Sequence, residues 1–94
     1  MMRWEDLDDK FDIEIPIDVP VFPVNIVCEL LHMQYYMLHE IIKEGLLREP
    51  KRKKHKKLFS KSDIRLLNYI KYLVEERGVN LNGVKVILEI EHKE

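Results

Sequence analysis

Cysteine, glycine and tryptophan are scarce in this 94-residue sequence, and long apolar stretches are missing. The single Cys28 has no partner for an internal disulfide, which favours a reducing compartment such as the cytoplasm. No run approaches the ~20 apolar residues that cross a bilayer. The acidic start, from Met1 to Asp6, lacks the apolar core of a signal peptide. These absences predict a cytoplasmic protein without a membrane span.

Patterns that carry catalysis or bind metals are missing as well. The sequence has no glycine-rich phosphate loop and no recognisable order of nucleophile, base and acid. Its histidines, His32, His39, His55 and His92, are scattered, and their spacing does not match that of a metal site. We therefore predict that the chain is not an enzyme and needs no cofactor or metal.

Charge is divided unevenly along the chain, although the formal net charge is only −1. Residues 1–18 carry seven acids and two bases, whereas residues 19–94 carry a net charge of +4. A basic body attracts a polyanion, and an acidic segment resists one. Ninety-four residues suffice for one small domain. We therefore predict an acidic tail and extended arm over residues 1–20 and a folded domain over residues 21–94.

Apolar and polar residues alternate from Phe11 to Val21, which is typical of a strand with one apolar face. Pro16 and Pro20 cannot donate to a β-ladder, so the strand is expected to be broken or to lie on an edge. Two interpretations remain open. The segment either lies over the core of its own chain or pairs with another subunit.

Two short helices joined by a tight turn are predicted next. Asn25 is a candidate cap for the first helix, and His32 stands with Met33 at the turn. The second helix is expected from about Gln34 to Glu44. Gly45 follows it, where a left-handed residue usually ends a helix. This layout is that of a helix-turn-helix.

A strongly basic run separates this pair from the rest of the chain. Six fixed positive charges fall within the seven residues from Lys51 to Lys57. We expect Leu46-Leu47-Arg48 to form a short strand and Lys57-Leu58-Phe59 to form its return strand. The run would then be the tip of a hairpin, or wing. A lysine run of this kind is often only a solvated loop. Because this run lies next to a helix-turn-helix, we favour contact with DNA phosphates.

Two further helices complete the predicted domain. Ser60 and Asp63 have the spacing of a capping box at the start of a third helix, which is expected to run to Arg77. Gly78 would stop that helix, and Asn80 would cap the last one. Apolar residues mark the buried side of this last helix: Leu81, Val84, Ile87, Leu88 and Ile90.

Several stretches together resemble the DNA-binding domain of the MerR family of transcription regulators, closest to its heat-shock repressor branch. They are Val21-Phe22-Pro23-Val24, Glu29-Leu30-Leu31-His32-Met33, Gly45-Leu46-Leu47-Arg48, Phe59-Ser60-Lys61-Ser62-Asp63-Ile64 and Gly78-Val79-Asn80-Leu81-Asn82-Gly83-Val84. The resemblance covers about three quarters of the chain. It implies a mainly α fold with a small β-hairpin, a winged helix-turn-helix. In that fold the second helix enters the major groove and the wing contacts flanking phosphates.

The sequence departs from the family where DNA is normally read. Family members usually begin the second helix with Thr-Leu-Arg-x-Tyr, whereas this chain has Met37-Leu38-His39-Glu40-Ile41. His39 thus stands where the family has an arginine that contacts the DNA backbone. The glycine-rich wing tip of the family is replaced by lysines, and a glycine at the turn is replaced by His32.

From the resemblance and the basic run we expect double-stranded DNA as the partner and repression of an operator as the mechanism. The predicted DNA-binding residues are Tyr35, Tyr36, His39, Lys43, Arg48, Lys51, Arg52, Lys53, Lys54, His55, Lys56 and Lys57. For the two tyrosines, packing on the core and over the turn is an equal alternative. A module of this size has limited affinity alone, so we expect a homodimer formed through residues 11–21 or the last helix.

Two further hypotheses follow from the sequence. The acidic tail folds back on the wing and competes with DNA. Alternatively, sequence reading has lapsed and the domain is a protein-interaction module for another regulator or a chaperone. Its docking face would then comprise Tyr35, Tyr36, Met37 and Ile41.

Overall fold

The computed structural model describes the backbone of residues 15–48, 51–53 and 56–92. Its elements are β1 (Phe22–Pro23), α1 (Val24–Leu31), α2 (Tyr35–Lys43), β2 (Lys51–Lys53), β3 (Lys56–Phe59), α3 (Lys61–Glu75) and α4 (Leu81–His92). The strands form one antiparallel sheet in the order β1-β3-β2. The predicted fold class, mainly α with a small β-hairpin, is confirmed. Within the described ranges no helix is long and apolar enough to cross a membrane.

The turn between α1 and α2 is closed by a residue in the left-handed conformation. His32 has φ 51°, and the amide of the next residue, Met33, donates to the Cys28 carbonyl over 2.9 Å. The prediction that His32 occupies a glycine-like position at the turn is therefore confirmed. The prediction for Asn25 is wrong, because Asn25 lies exposed inside α1 and the N-cap residue is Pro23. Pro23 has no side-chain acceptor, so no side chain caps the start of α1.

The predicted strand at Leu46-Leu47-Arg48 is wrong. Gly45, with φ 77°, ends α2 as predicted, and the Leu46 amide then donates back to the Ile41 carbonyl over 3.1 Å. That bond completes a helix C-terminal cap and holds the chain in a bend. Leu46 and Leu47 are both buried although they are consecutive, which a strand with one apolar face does not allow. The first hairpin strand is instead β2, so the basic run itself forms the hairpin.

Phe59 anchors the hairpin to the core. It is fully buried, and it pairs with Phe22 of β1, which is also buried. Toward the other end of β3, Leu58 is half-buried and Lys56 is exposed. The return strand predicted at Lys57-Leu58-Phe59 is confirmed and begins one residue earlier.

Helix α3 begins with the predicted capping box. The Asp63 amide donates to Ser60 Oγ over 3.1 Å, and the Ser60 amide donates to Asp63 Oδ2 over 2.9 Å. The buried side of α3 is Ile64, Leu67, Ile70 and Leu73. The helix ends at Glu75, two residues before the predicted Arg77, and Gly78 follows with φ 67°.

Helix α4 packs on α3 through only part of its predicted apolar set. Asn80 caps it as predicted, since the Gly83 amide donates to Asn80 Oδ1 over 2.8 Å. Val84 and Leu88 are buried, and Leu81 and Ile87 pack against the core. Ile90 is 65% exposed, so its predicted burial is wrong. Ile90 lies two residues past Leu88, which places it on the far side of the helix.

Residues 15–21 do not form the predicted alternating strand. The Val19 amide donates to the Pro16 carbonyl over 3.3 Å, which closes a turn at residues 17–18. Asp18 and the two prolines disfavour a continuous strand, so the turn is the physically easier structure. The rest of the predicted strand, residues 11–14, lies outside the described residues.

This N-terminal segment lies along its own chain. Ile15 packs against the core, the Ser62 amide donates to the Ile17 carbonyl, and the Val21 amide donates to the Phe59 carbonyl, both over 3.0 Å. For residues 15–21 the structure therefore agrees with the interpretation of a segment laid over its own core.

Candidate nucleic-acid interface

The outer face of α2 presents a stripe of polar and aromatic side chains. Tyr36 is 70% exposed, and His39 and Lys43 are also exposed. These residues are three and four positions apart, so they lie one above another on a single helix face. Tyr35 is 58% exposed on the flank of this stripe. The alternative that one of the two tyrosines packs in the core is therefore wrong, whereas the alternative that the other covers the turn stays a prediction.

Tyr35 connects this stripe to the hairpin. Its ring stacks on that of His39, one helical turn later, with 6.3 Å between the ring centroids and an angle of 19° between the planes. A small crevice lies between α2 and β3, and Tyr35, His39 and Lys57 are among the residues that line it. The structure thus brings together residues of the second helix and the wing that the sequence predicted separately.

Cationic residues lie opposite one another in the hairpin. The backbone register pairs Arg52 with Lys57 and Lys53 with Lys56. Like charges directly opposite one another across a β-ladder are destabilising. The register therefore concentrates positively charged residue types on one short hairpin.

The remaining predicted contact residues have separate positions. Arg48 is exposed and follows the bend after α2. The structure describes the backbone of Lys51 as part of β2, opposite Leu58. Lys54 and His55 lie outside the described residues.

The docking face of the alternative hypothesis is not assembled as predicted. Ile41 is fully buried in the core, and Met37 is half-buried and packs against it. Only Tyr35 and Tyr36 of that predicted face are well exposed. The departures from the family pattern at Met37 and Ile41 therefore contribute to packing rather than to an outward apolar surface.

Other chemically distinctive groups lie away from this surface. Half-burial raises the pKa of the Cys28 thiol, which disfavours the reactive thiolate. The Tyr69 hydroxyl donates to Glu91 over 2.8 Å, and this bond raises the pKa of Tyr69. Among the described residues no cluster of three histidine, cysteine or acidic side chains could hold a metal ion.

The apolar floor of the crevice was not predicted from the sequence. Its residues, Val24, Leu38, Ile42 and Phe59, come from α1, α2 and β3. Within its own helix or strand, each of them has the sequence pattern of an ordinary core residue. No local pattern predicts that they line one crevice. The only local signal was the four-residue spacing of Tyr35 and His39, which places two rings on adjacent turns.

Comparison with known proteins identifies the family to which this chain is similar. Residues 22–90 match a family described as MerR HTH family regulatory protein. A protein of Streptomyces coelicolor with the provisional name heat shock protein HspR is 28% identical over 80 residues. The aligned region covers 85% of this chain and 53% of the relative, so the chain spans about half the length of the curated relative that it matches.

Proposed function

The chain belongs to the MerR HTH family of regulatory proteins, and from this membership and the surface of α2 we propose that it is a DNA-binding transcription regulator. Helix α2 enters the major groove of an operator, and the hairpin from Lys51 to Phe59, the wing, contacts the adjacent phosphates. From the resemblance of the sequence to the heat-shock repressor branch of this family, we further propose that occupancy of the operator represses transcription.

The cross-strand pairing of like charges in the wing carries this proposal. Arg52 opposite Lys57 and Lys53 opposite Lys56 concentrate positive charge on one short hairpin. This arrangement costs folding stability and is useful when an anion of matching charge density lies against it. The wing and α2 lie side by side, because Lys57 of the wing lines the same crevice as Tyr35 and His39 of α2.

The wing and α2 have different tasks in this proposal. Lysine contacts to phosphates raise affinity and set position without reading the sequence. Base reading therefore depends on the other exposed residues of the outer stripe of α2, Tyr36 and Lys43. A tyrosine ring can contact a thymine methyl group, and a lysine can donate to guanine.

A homodimer on an inverted repeat is part of the proposal. One helix-turn-helix covers one half-site, and a two-fold dimer doubles the contact area. Residues 15–21 are engaged with their own chain, which favours the last helix as the dimer surface. Val86 and Ile90, one turn apart on α4, are 53% and 65% exposed and are available for this contact.

Selection of bound fragments from genomic DNA tests the function. At ~0.15 M salt weak nonspecific binding is largely suppressed. We expect the protein to enrich fragments that share an inverted repeat, and base changes within that repeat to abolish binding. Enrichment without a shared sequence would contradict operator recognition.

A protein-interaction module is the second candidate function. The exposure of two adjacent large aromatic residues, Tyr35 and Tyr36, favours it, because such rings often anchor protein interfaces. Under this function Tyr36→Ala would abolish binding to another regulator or a chaperone, while loss of charge on the wing would leave that binding intact.

A further inference from the structure

A shallow groove of about 250 Å³ lies between the bend that follows α2 and the helices α3 and α4. Its lining is apolar apart from one charge of each sign, and its residues are Gly45, Leu46, Leu66, Lys85, Leu88 and Glu89. A cavity of about 150 Å³ accepts a benzene ring, so the groove has room for an aliphatic side chain.

Beside the groove, α4 carries an exposed aliphatic ridge. Val86 is 53% exposed and Ile90 is 65% exposed, and their four-residue spacing places one above the other along the helix. Each residue turns the chain by about 100° around a helix axis, so Lys85 and Glu89 lie between this ridge and Leu88 of the groove. One face of the protein thus carries both a protruding aliphatic pair and an apolar recess.

We propose that this face binds a second copy of the chain through a two-fold interface, in which the ridge of each copy lies in the groove of the other. A two-fold interface requires that a single patch contain both halves of the contact. The ridge and the groove meet this requirement because they lie on adjacent sides of α4. The inference rests on the homodimer in the proposed function and names the surface that receives α4.

Charge complementarity favours a second copy as the occupant. Residue 87 lies midway between Lys85 and Glu89, so two antiparallel α4 helices that cross at this level place Lys85 of each copy opposite Glu89 of the other. Two ion pairs then border the apolar contact. In a parallel pair, each lysine would instead face a lysine and each glutamate a glutamate. Such border charges select the orientation of the partner more than they raise the affinity.

This interface should be weak in the absence of DNA. One helix and one groove form a small contact, and interfaces that bury less than about 1,200 Å² in total are typical of transient complexes. We therefore expect a monomer–dimer equilibrium with a dissociation constant in the micromolar range. Two adjacent half-sites on DNA would favour the dimer by raising the effective concentration of one copy near the other.

Sedimentation equilibrium of the full chain without DNA tests the interface over concentrations from about 1 µM to about 1 mM. Lys85→Glu and Glu89→Lys each place like charges opposite one another at both ion pairs, so each should weaken the dimer about tenfold or more. An equimolar mixture of the two variants should restore association as a heterodimer, because one variant then presents two acids to the two lysines of the other.

Matched controls separate this pairing from a general effect of charge. Lys71→Glu and Glu75→Lys make the same changes of net charge in an i,i+4 pair on α3 and, alone or mixed, should leave the dissociation constant unchanged. Ile90→Ala should weaken association about tenfold by shortening the ridge, whereas Tyr36→Ala on the outer face of α2 should not change it. Thermal unfolding checks the fold of each variant.

Three results would overturn the interface. Association that responds neither to the α4 charge variants nor to Ile90→Ala would place the dimer contact elsewhere. A mixture of the two α4 charge variants that stays monomeric would exclude the antiparallel pairing. A wild-type chain that is monomeric at every concentration would leave the groove to a different protein or to solvent.

The selection of genomic DNA fragments tests the proposed function separately. A monomeric chain that still enriches fragments with a shared sequence would overturn the interface and leave DNA binding intact. A dimer with the expected response to the α4 variants, but without enrichment of any shared sequence, would support the interface and contradict operator recognition.

Discussion

The wing and helix α3 are neighbours in the chain, but the two differ in how their charged and polar residues are arranged. At the start of α3, the side chains of Ser60 and Asp63 each accept a hydrogen bond from the other residue's backbone amide. Further along, Lys71 lies 3.5 Å from Glu75 in a stabilising i,i+4 pair. In the wing, the register sets cations opposite cations. The start and end of α3 therefore carry stabilising local contacts, whereas the backbone register of the wing places like-charged residue types opposite one another.

Replacement of the wing's anchor should have the largest effect. Phe59→Ala removes a fully buried ring that joins β3 to the core and pairs with Phe22. Loss of a buried phenylalanine typically costs about 3–5 kcal/mol, so we expect the free energy of unfolding to fall by that amount. Urea denaturation measures the change.

Tyr72→Ala on α3 is a suitable control for this variant, because Tyr72 is 45% exposed. Its loss should cost much less than the loss of Phe59. Similar costs for the two variants would mean that the wing is not anchored through Phe59.

Removal of the α3 cap should have an intermediate effect on stability and none on DNA affinity. Ser60→Ala leaves the Asp63 amide without its acceptor and should lower the unfolding free energy by about 1 kcal/mol. Asp63→Ala should cost a similar amount, and the double variant less than the sum, because the two residues act as one unit. Thermal unfolding and duplex binding at a temperature where all variants are folded would check both parts.

Local signals in the sequence predict α3 better than the wing, and the physical reason lies in the range of the interactions. The cap at Ser60, the left-handed glycines Gly45 and Gly78 and the Asn80 cap each involve residues within a few positions. They were all predicted correctly. The bend at Leu46 was missed, because it depends on a hydrogen bond to the end of α2 and on burial by distant elements.

In the candidate site, too, features that depend on neighbouring residues were predictable and features that depend on distant residues were not. Exposure of Tyr35, Tyr36, His39 and Lys43 agrees with their predicted role, since helical spacing alone places them on or beside one face. Lys57 lines the same crevice as Tyr35 and His39 because β3 packs against α2. No pattern within either element contains that information, so the crevice could be found only in three dimensions.

Reversal of one wing charge should change stability and binding in opposite directions. Lys56→Glu places an acid opposite Lys53, which turns a repulsive pair into an attractive one. We expect the unfolding free energy to rise by about 0.2–1 kcal/mol. DNA binding should weaken, and the slope of log affinity against log salt should fall by about one unit for one lost phosphate contact.

Lys71→Glu on α3 provides the matched charge reversal. It replaces an attractive pair with Glu75 by a repulsive one, so it should lower stability slightly. A loss of stability in both variants would show that the register of the wing does not create the repulsion that we infer.

Removal of the acidic N-terminus should have the smallest effect and concerns binding alone. Residues 1–10, which lie outside the described structure, contain four acids and two bases. If this segment competes with DNA for the wing, deletion of residues 1–10 should tighten duplex binding at low salt. The gain should disappear near 1 M salt, where charges separated by more than about 3 Å are screened. A chain in which the four acids are replaced by their amides separates charge from length, and it should behave like the deletion. Equal affinity of the deleted and full-length chains at low salt would contradict the competition hypothesis. DNA would then be the only polyanion proposed to bind the wing.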